Sequence, residues 1–175
     1  MKINKFSLQH RDAFDAKEVE FSSSVNIIYS DKNSTGKTTL LRAILYTLGF
    51  PVPSTELIRF EDYEFKLEID QKGNRFIVNR NDNLLIINNQ EFDLPVDQHA
   101  AHSFLFGIDN AELLSNLLGT IYFDQEKGWT MLNRGTIIGL NRFNVESFFR
   151  GLKEDESEES YREVEKIRAI NKKIA

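Results

Sequence analysis

Gly36-Lys37-Thr38, at the end of the stretch Ser30-Asp31-Lys32-Asn33-Ser34-Thr35-Gly36-Lys37-Thr38-Thr39, are the residues whose types and spacing best suit chemistry. They fit the end of the phosphate-loop pattern G-x-x-x-x-G-K-[ST]. In such a loop, successive backbone N–H groups curl around an anion, and the helix that follows aims its unpaired N–H groups at the same point. Lys37 is placed to reach the terminal phosphates as a point charge. The Thr38 hydroxyl is placed to ligate Mg²⁺, which keeps most of its other ligands as water and phosphate oxygens. Asp31 occupies the position of the pattern's first glycine. Aspartate tolerates left-handed backbone, so the turn can still form, but its carboxylate has to face away from the phosphates. The other reading of these residues is a polar loop with a chance GKT.

A phosphate loop needs a strand before it and a helix after it. Val25 to Tyr29 is a compact apolar run, the form taken by a buried parallel strand. After the loop, Leu40, Leu41, Ile44, Leu45 and Leu48 recur at helical spacing, and Gly49 and Pro51 supply the stop. Ahead of it, Ile3, Phe6 and Leu8 make a short strand and Val19-Glu20-Phe21 a return strand. A polar turn at Arg11 to Asp15 joins them into an antiparallel ribbon.

Downstream, Glu61 to about Leu94 reads as a β meander with one face buried and one wet. Phe65, Leu67 and Ile69 alternate with Lys66, Glu68 and Asp70, and Gln71-Lys72-Gly73-Asn74 forms a turn before Arg75–Val78 and Leu84–Ile87. The chain then turns helical. Asp109-x-x-Glu112 has capping-box spacing ahead of Leu113, Leu114, Leu117 and Leu118, with Gly119 as the stop. A short apolar strand is expected at Ile121-Tyr122-Phe123, and another helix over Val145–Leu152. From Lys153 the composition becomes acidic, and Val164, Ile167, Asn171 and Ile174 follow a three-four spacing. That is either the onset of a coiled coil or a solvated terminal helix.

The 175 residues suffice for one compact domain, with 41% apolar residues and 14 Phe for a core. Net charge is −5, from 22 basic and 27 acidic residues, which argues neither for nor against nucleic acid. The absence of cysteine excludes a disulfide framework and a thiolate metal site. No apolar run approaches the ~20 residues of a membrane span, and the N-terminus lacks a signal peptide's apolar stretch, so a cytoplasmic protein is expected.

In the order KINKFSLQH, KEVEF, VNIIYSDKNSTGKTTLLRAILYTLG and then a β meander, the chain resembles the heads of SMC-like ABC ATPases, the group containing RecN, RecF and SbcC. DKNSTGKTTLLRAILYTLGFPVPST also looks like the SMC-like ATPases of bacterial anti-phage systems. The resemblance covers nearly the whole chain, although only the phosphate loop is a sharp motif, and Asp31 and Ser34 replace glycines usual in the family. It implies an α/β P-loop NTPase fold (ABC/SMC-like head, N-terminal lobe) over residues 1–152, carrying an antiparallel β meander. Residues 153–175 would begin a coiled-coil helix. It further implies ATP and Mg²⁺ as cofactors, held by Asn33, Ser34, Thr35, Gly36, Lys37, Thr38 and Thr39. Gln125, at a strand end, would contact Mg²⁺ and the attacking water, and Arg11 would lie near the nucleotide. Lys37 and Gln125 are thus the expected catalytic residues, and Thr38 and Gln125 the metal ligands. Such heads are split, and no LSGGQ-like signature stretch occurs here. Hydrolysis would therefore await a C-terminal half of the same head and a second head, with DNA and accessory subunits as partners of the full complex and no membrane.

Other constellations are weaker. Tyr122-Phe123-Asp124 could be an acidic strand with Asp124 on Mg²⁺, making a small self-contained P-loop kinase with Arg134 and Arg142 as lid arginines. A loop altered through Asp31 and Ser34 could instead belong to a non-catalytic assembly module. The guanine-specifying N-K-x-D is absent, which argues against a GTPase. His99 and His102 lie three apart in an expected helix without an evident third ligand, so ordinary helix residues are the simpler reading. Trp129 could stack a base or anchor a loop.

Overall fold

The computed structural model describes residues 1–13, 15–32, 36–56, 58–122 and 135–153. The chain is an α/β protein built on an antiparallel sheet. It divides into two compact units. The first holds Met1–Asp109 together with Ile138–Asn141, and the second draws its described residues from 110–122, 135–137 and 142–153.

The first unit is a six-stranded sheet in the order β2-β1-β3-β4-β5-β6. Its strands are β1 (Lys2–His10), β2 (Ala16–Glu20), β3 (Tyr63–Gln71), β4 (Asn74–Asn81), β5 (Leu84–Ile87) and β6 (Gln90–Asp93). All neighbouring pairs are antiparallel. The expected ribbon and meander are therefore parts of one sheet, because β1 pairs on its other side with β3. Tight turns join β3 to β6 in sequence. Lys72 and Gly73, both left-handed, connect β3 to β4 within the expected Gln71–Asn74 turn.

Register sorts the side chains into rows across the inner face. Phe6 lies opposite Leu67, Leu67 opposite Val78, and Val78 opposite Ile87. The neighbouring row runs Leu8, Phe65, Arg80, Leu85 and Phe92. Phe6, Leu67, Val78, Leu85 and Ile87 are all fully buried. Each such side chain contributes about 1.5–3 kcal/mol by leaving water, so these rows fix both the register and the buried face. Phe6, Tyr46, Phe60 and Phe65 pack in a continuous aromatic cluster, Phe6 and Phe65 stacked and the other pairs tilted or edge-on.

Two helices cover this face. Helix α1 (Lys37–Thr47) packs on β3 and β4, and α2 (Gln98–Phe106) on β5 and β6. Burial in α1 is uneven: Ala43 through Thr47 are buried, whereas Leu41 in the first half is 45% exposed. Leu41 thus leaves the apolar face expected of it, because only the C-terminal half of α1 rests on the sheet.

The second unit contains α3 (Ala111–Ile121) and α4 (Val145–Leu152), packed on each other. Helix α4 has the expected bounds. Three expectations about α3 are corrected. The cap is Asn110 rather than Asp109: the Asn110 side chain accepts from the amides of Glu112 and Leu113 at 3.0 and 3.1 Å, while Asp109 accepts from the Ser103 hydroxyl. Gly119 does not stop the helix. It is buried within α3 against Phe143, where a side chain would collide. Ile121 is the helix's last residue and the Tyr122 amide still bonds Leu118 O at 3.0 Å, so the apolar triplet begins as helix rather than strand. A two-stranded hairpin, β7 (Thr136–Ile138) and β8 (Asn141–Arg142), was not foreseen. Its tip belongs to the first unit, where Asn141 Nδ2 donates to Pro51 O at 2.8 Å.

Candidate functional site

The candidate site is the segment from Ser30 into the first turn of α1. Gly36 is the N-cap residue of α1 and lies in the left-handed region, φ 91° and ψ 6°. Most side chains resist that conformation, and glycine adopts it freely. Gly36 itself offers no side chain to cap the helix. The earliest helical bond is from the Leu40 amide to Gly36 O, at 2.8 Å. The N–H groups of a helix's first turn and the positive end of its dipole suit that end to an anion.

Lys37 follows at once. Its ammonium turns back over the loop and donates to Lys32 O at 3.3 Å. The loop before it is tightened by Ser30, whose hydroxyl donates to Lys32 O at 2.9 Å and accepts from the Lys32 amide at 3.1 Å. Thr38 is exposed and Thr39 half-buried, with the Thr39 hydroxyl 3.1 Å from that of Thr55. Thr38, the residue the motif assigns to Mg²⁺, is thus the more exposed of the two. Asn33, Ser34 and Thr35 lie outside the described residues, as does Gln125.

Val25 to Tyr29 differ from expectation. The run forms no strand, and Val25, Ile27 and Tyr29 are each more than 80% exposed. Its position just ahead of the loop is as expected, but among the described residues no strand pairs with it. An apolar run becomes a buried strand only when a sheet receives it, and in this chain β1 spends its two edges on β2 and β3.

Arg11 sits at the end of β1. Its amide donates to Asp62 O at 3.0 Å and its guanidinium to the Asn81 side chain, so it is tied to the meander. Of His99 and His102, the first is exposed and the second buried, which separates rather than pairs them. His102 Nε2 lies 3.1 Å from Leu48 O. A carbonyl only accepts, so this nitrogen carries the proton. Burial pushes the ring's pKa down to about 4, so the folded ring is neutral.

Sequence reasoning missed Arg80. It stands on the inner face of β4, 6% exposed, with its guanidinium carbon 3.5 Å from the centre of the Tyr46 ring. The available signal was a charged residue at an inward position of the alternation Phe76, Val78, Arg80. In the second unit, Arg142, Phe149, Arg150 and Lys153 line a hollow of about 940 Å³, where Arg150 Nε pairs with Glu112 at 3.1 Å. Arg134 and Trp129 lie outside the described residues.

The fold and the site together define an α/β protein in which a left-handed glycine delivers a lysine and a hydroxyl to a helix start. No family model matches the chain. It is similar to Lamassu protein LmuB of Bacillus cereus (strain VD014), with 24% identity over 147 residues, 73% of this chain and 26% of that protein. It is also similar to Lamassu protein LmuB of Bacillus sp. (strain NCIM 5461 / CCTCC AB 2011126 / NIO-1130), with 30% identity over 103 residues, 57% of this chain and 18% of that protein. The chain spans about a quarter or less of the length of these curated relatives. Among the described residues no helix is long and apolar enough to cross a membrane.

Proposed function

We propose that this chain is the Mg–ATP-binding N-terminal part of an SMC-like ATPase head that serves in bacterial phage defence. The observation that carries the reading is the left-handed Gly36 opening α1 immediately before Lys37 and the exposed Thr38. The likeness to two LmuB proteins supports the defence setting and makes partner subunits part of the reading. In this account the amides of Gly36 to Thr39 bind phosphate oxygens, and Lys37 leaves Lys32 O to meet the terminal phosphates. Thr38 and Gln125 would hold Mg²⁺, which would supply charge neutralisation to the phosphates.

The exposed run Val25 to Tyr29 has a place in this reading. A strand added alongside it by the C-terminal half of the same head would cover its apolar side chains and stiffen the segment that carries the loop. Completion would also require the second head, whose closure on ATP would act on DNA through the coiled coils. The chain alone is then a binder and not a hydrolase.

Calorimetric titration with Mg–ATP is the test. The reading expects saturable binding that Lys37→Ala abolishes, and negligible phosphate release until the rest of the head is supplied. Turnover by the chain alone would favour a self-contained kinase or NTPase. Lack of binding by the intact chain would leave a non-catalytic assembly module.

A further inference from the structure

Arg80 occupies a position that the two-residue alternation of β4 gives to an apolar side chain. Phe76 and Val78 precede it on the same face, and Phe65 and Leu85 flank it across the strands. It is 6% exposed, and none of the ion pairs among the described residues includes it. Placing a cation there without a carboxylate is strongly unfavourable unless other groups neutralise it. Its partners are carbonyls at and just after the C-terminal end of α1 and in the β4–β5 turn. Nη1 donates to Tyr46 O and, at 3.4 Å, to Phe50 O, while Nε donates to Asp82 O at 3.0 Å. The guanidinium also covers the Tyr46 ring. Carbonyls at a helix C-terminus carry the negative end of the dipole, so the buried cation is matched there by backbone, with the Asp82 carboxylate adding to the attraction. Burial lowers the guanidinium's pKa, but the ordinary value is so high that it stays charged.

We infer that Arg80 is a positioning residue for the phosphate loop, locking the C-terminal end of α1 to the β4–β5 corner so that its N-terminal amides stay aimed. This rests on the nucleotide reading above. The eleven residues of α1 make a rod about 16 Å long. Its C-terminal half is buried and its first half is not, so its direction is set at the far end. A tilt of about 4° there displaces Gly36 by about 1 Å, enough to spoil amide–phosphate hydrogen bonds whose usable range is a few tenths of an ångström. The neighbouring His102 contact on Leu48 O fixes the same end from α2. A cation with three fixed directions resists tilt in a way an apolar side chain of equal volume cannot.

The test compares Mg–ATP affinity, by calorimetry well below the unfolding midpoint, for the intact chain and for Arg80→Met, Arg80→Lys and Phe92→Ala. Phe92 is buried on β6, the far edge strand, and serves as a control that loosens the same unit away from α1. Arg80→Met should bind at least about tenfold more weakly. Arg80→Lys, which keeps the charge but not the fork, should lose about threefold and carries the test alone if the methionine variant does not fold. Phe92→Ala should stay within about twofold of the parent. Parent-like affinity in the Arg80 variants overturns the inference while leaving the nucleotide reading intact. An equal loss in Phe92→Ala also overturns it, since the role is then general stability. A parent chain that takes no Mg–ATP removes the nucleotide reading itself, and this inference with it.

Discussion

Phe65-Lys66-Leu67-Glu68-Ile69 and Val25-Asn26-Ile27-Ile28-Tyr29 both carry at least three apolar strand-forming residues in five, yet they end in opposite environments. Phe65, Leu67 and Ile69 are at most 2% exposed, whereas Val25, Ile27 and Tyr29 exceed 80%. The difference is partnership. β3 lies between β1 and β4 with a ladder on each side, the β1 ladder shifting register once between Ile3 and Lys5, while the earlier segment has no ladder among the described residues. Strand propensity describes fitness for a pleated, half-buried surface, and it has no effect where the surface is missing. In the account proposed here, the first stretch holds the chain together and the second waits for the sheet that completes the head.

The largest effect that would sharpen this contrast is in the sheet. Leu67→Ala removes a fully buried side chain between Phe6 and Val78 and should cost roughly 3 to 5 kcal/mol in urea unfolding. A loss below about 1 kcal/mol would mean the rows are not the core.

Next in size is a pH effect at the covered end of α1. Well above pH 6.5, His102 is neutral in both folded and unfolded chains, and its contribution does not change. As pH falls from about 6.5 to 4, the unfolded chain takes up a proton that the folded ring refuses, so stability is lost, by about 3 kcal/mol at most. Unfolding measured across this range should show that slope in the parent and a flatter one in His102→Gln. Parallel curves would mean that the ring is protonated in the fold.

Gly49→Ala should cost about 1–3 kcal/mol, since φ is 92° and the new Cβ would lie 3.0 Å from His102 Nε2 and 3.2 Å from Leu85 Cδ2. A neutral result would show that α1's C-terminal turn can shift, which would weaken the case for a fixed loop. Smallest of all, Ile27→Ser should change stability by no more than about 0.5 kcal/mol, because its side chain is already in water. A large destabilisation would show that the segment is packed after all and would erase the comparison.

Local signals were legible where local physics decides. The alternation of Phe65, Leu67 and Ile69 gave β3, the amphipathic pattern after the loop gave α1, and Val145–Leu152 gave α4. Gly36 lies at the helix start that the motif demanded. What could not be read were features set by distant partners. β1 pairs with β3 across more than fifty intervening residues, which converts a ribbon and a meander into one sheet. Asn110 takes the cap one residue past Asp109 because Ser103 engages that carboxylate. Gly119 looked like a stop and is a point of close packing under Phe143. Arg80 was the least visible. Its inward place follows from the register of β4, and its neutralisation comes from carbonyls some thirty residues earlier in the chain.

Backbone amide NMR during a Mg–ATP titration, in the parent and in Lys37→Ala, tests the nucleotide cup most directly. The account predicts saturable shifts that are largest at Gly36, Lys37 and Thr38 and that vanish in the variant. Saturable shifts centred elsewhere, or none at any concentration that occupies ordinary ATP-binding proteins, would contradict it.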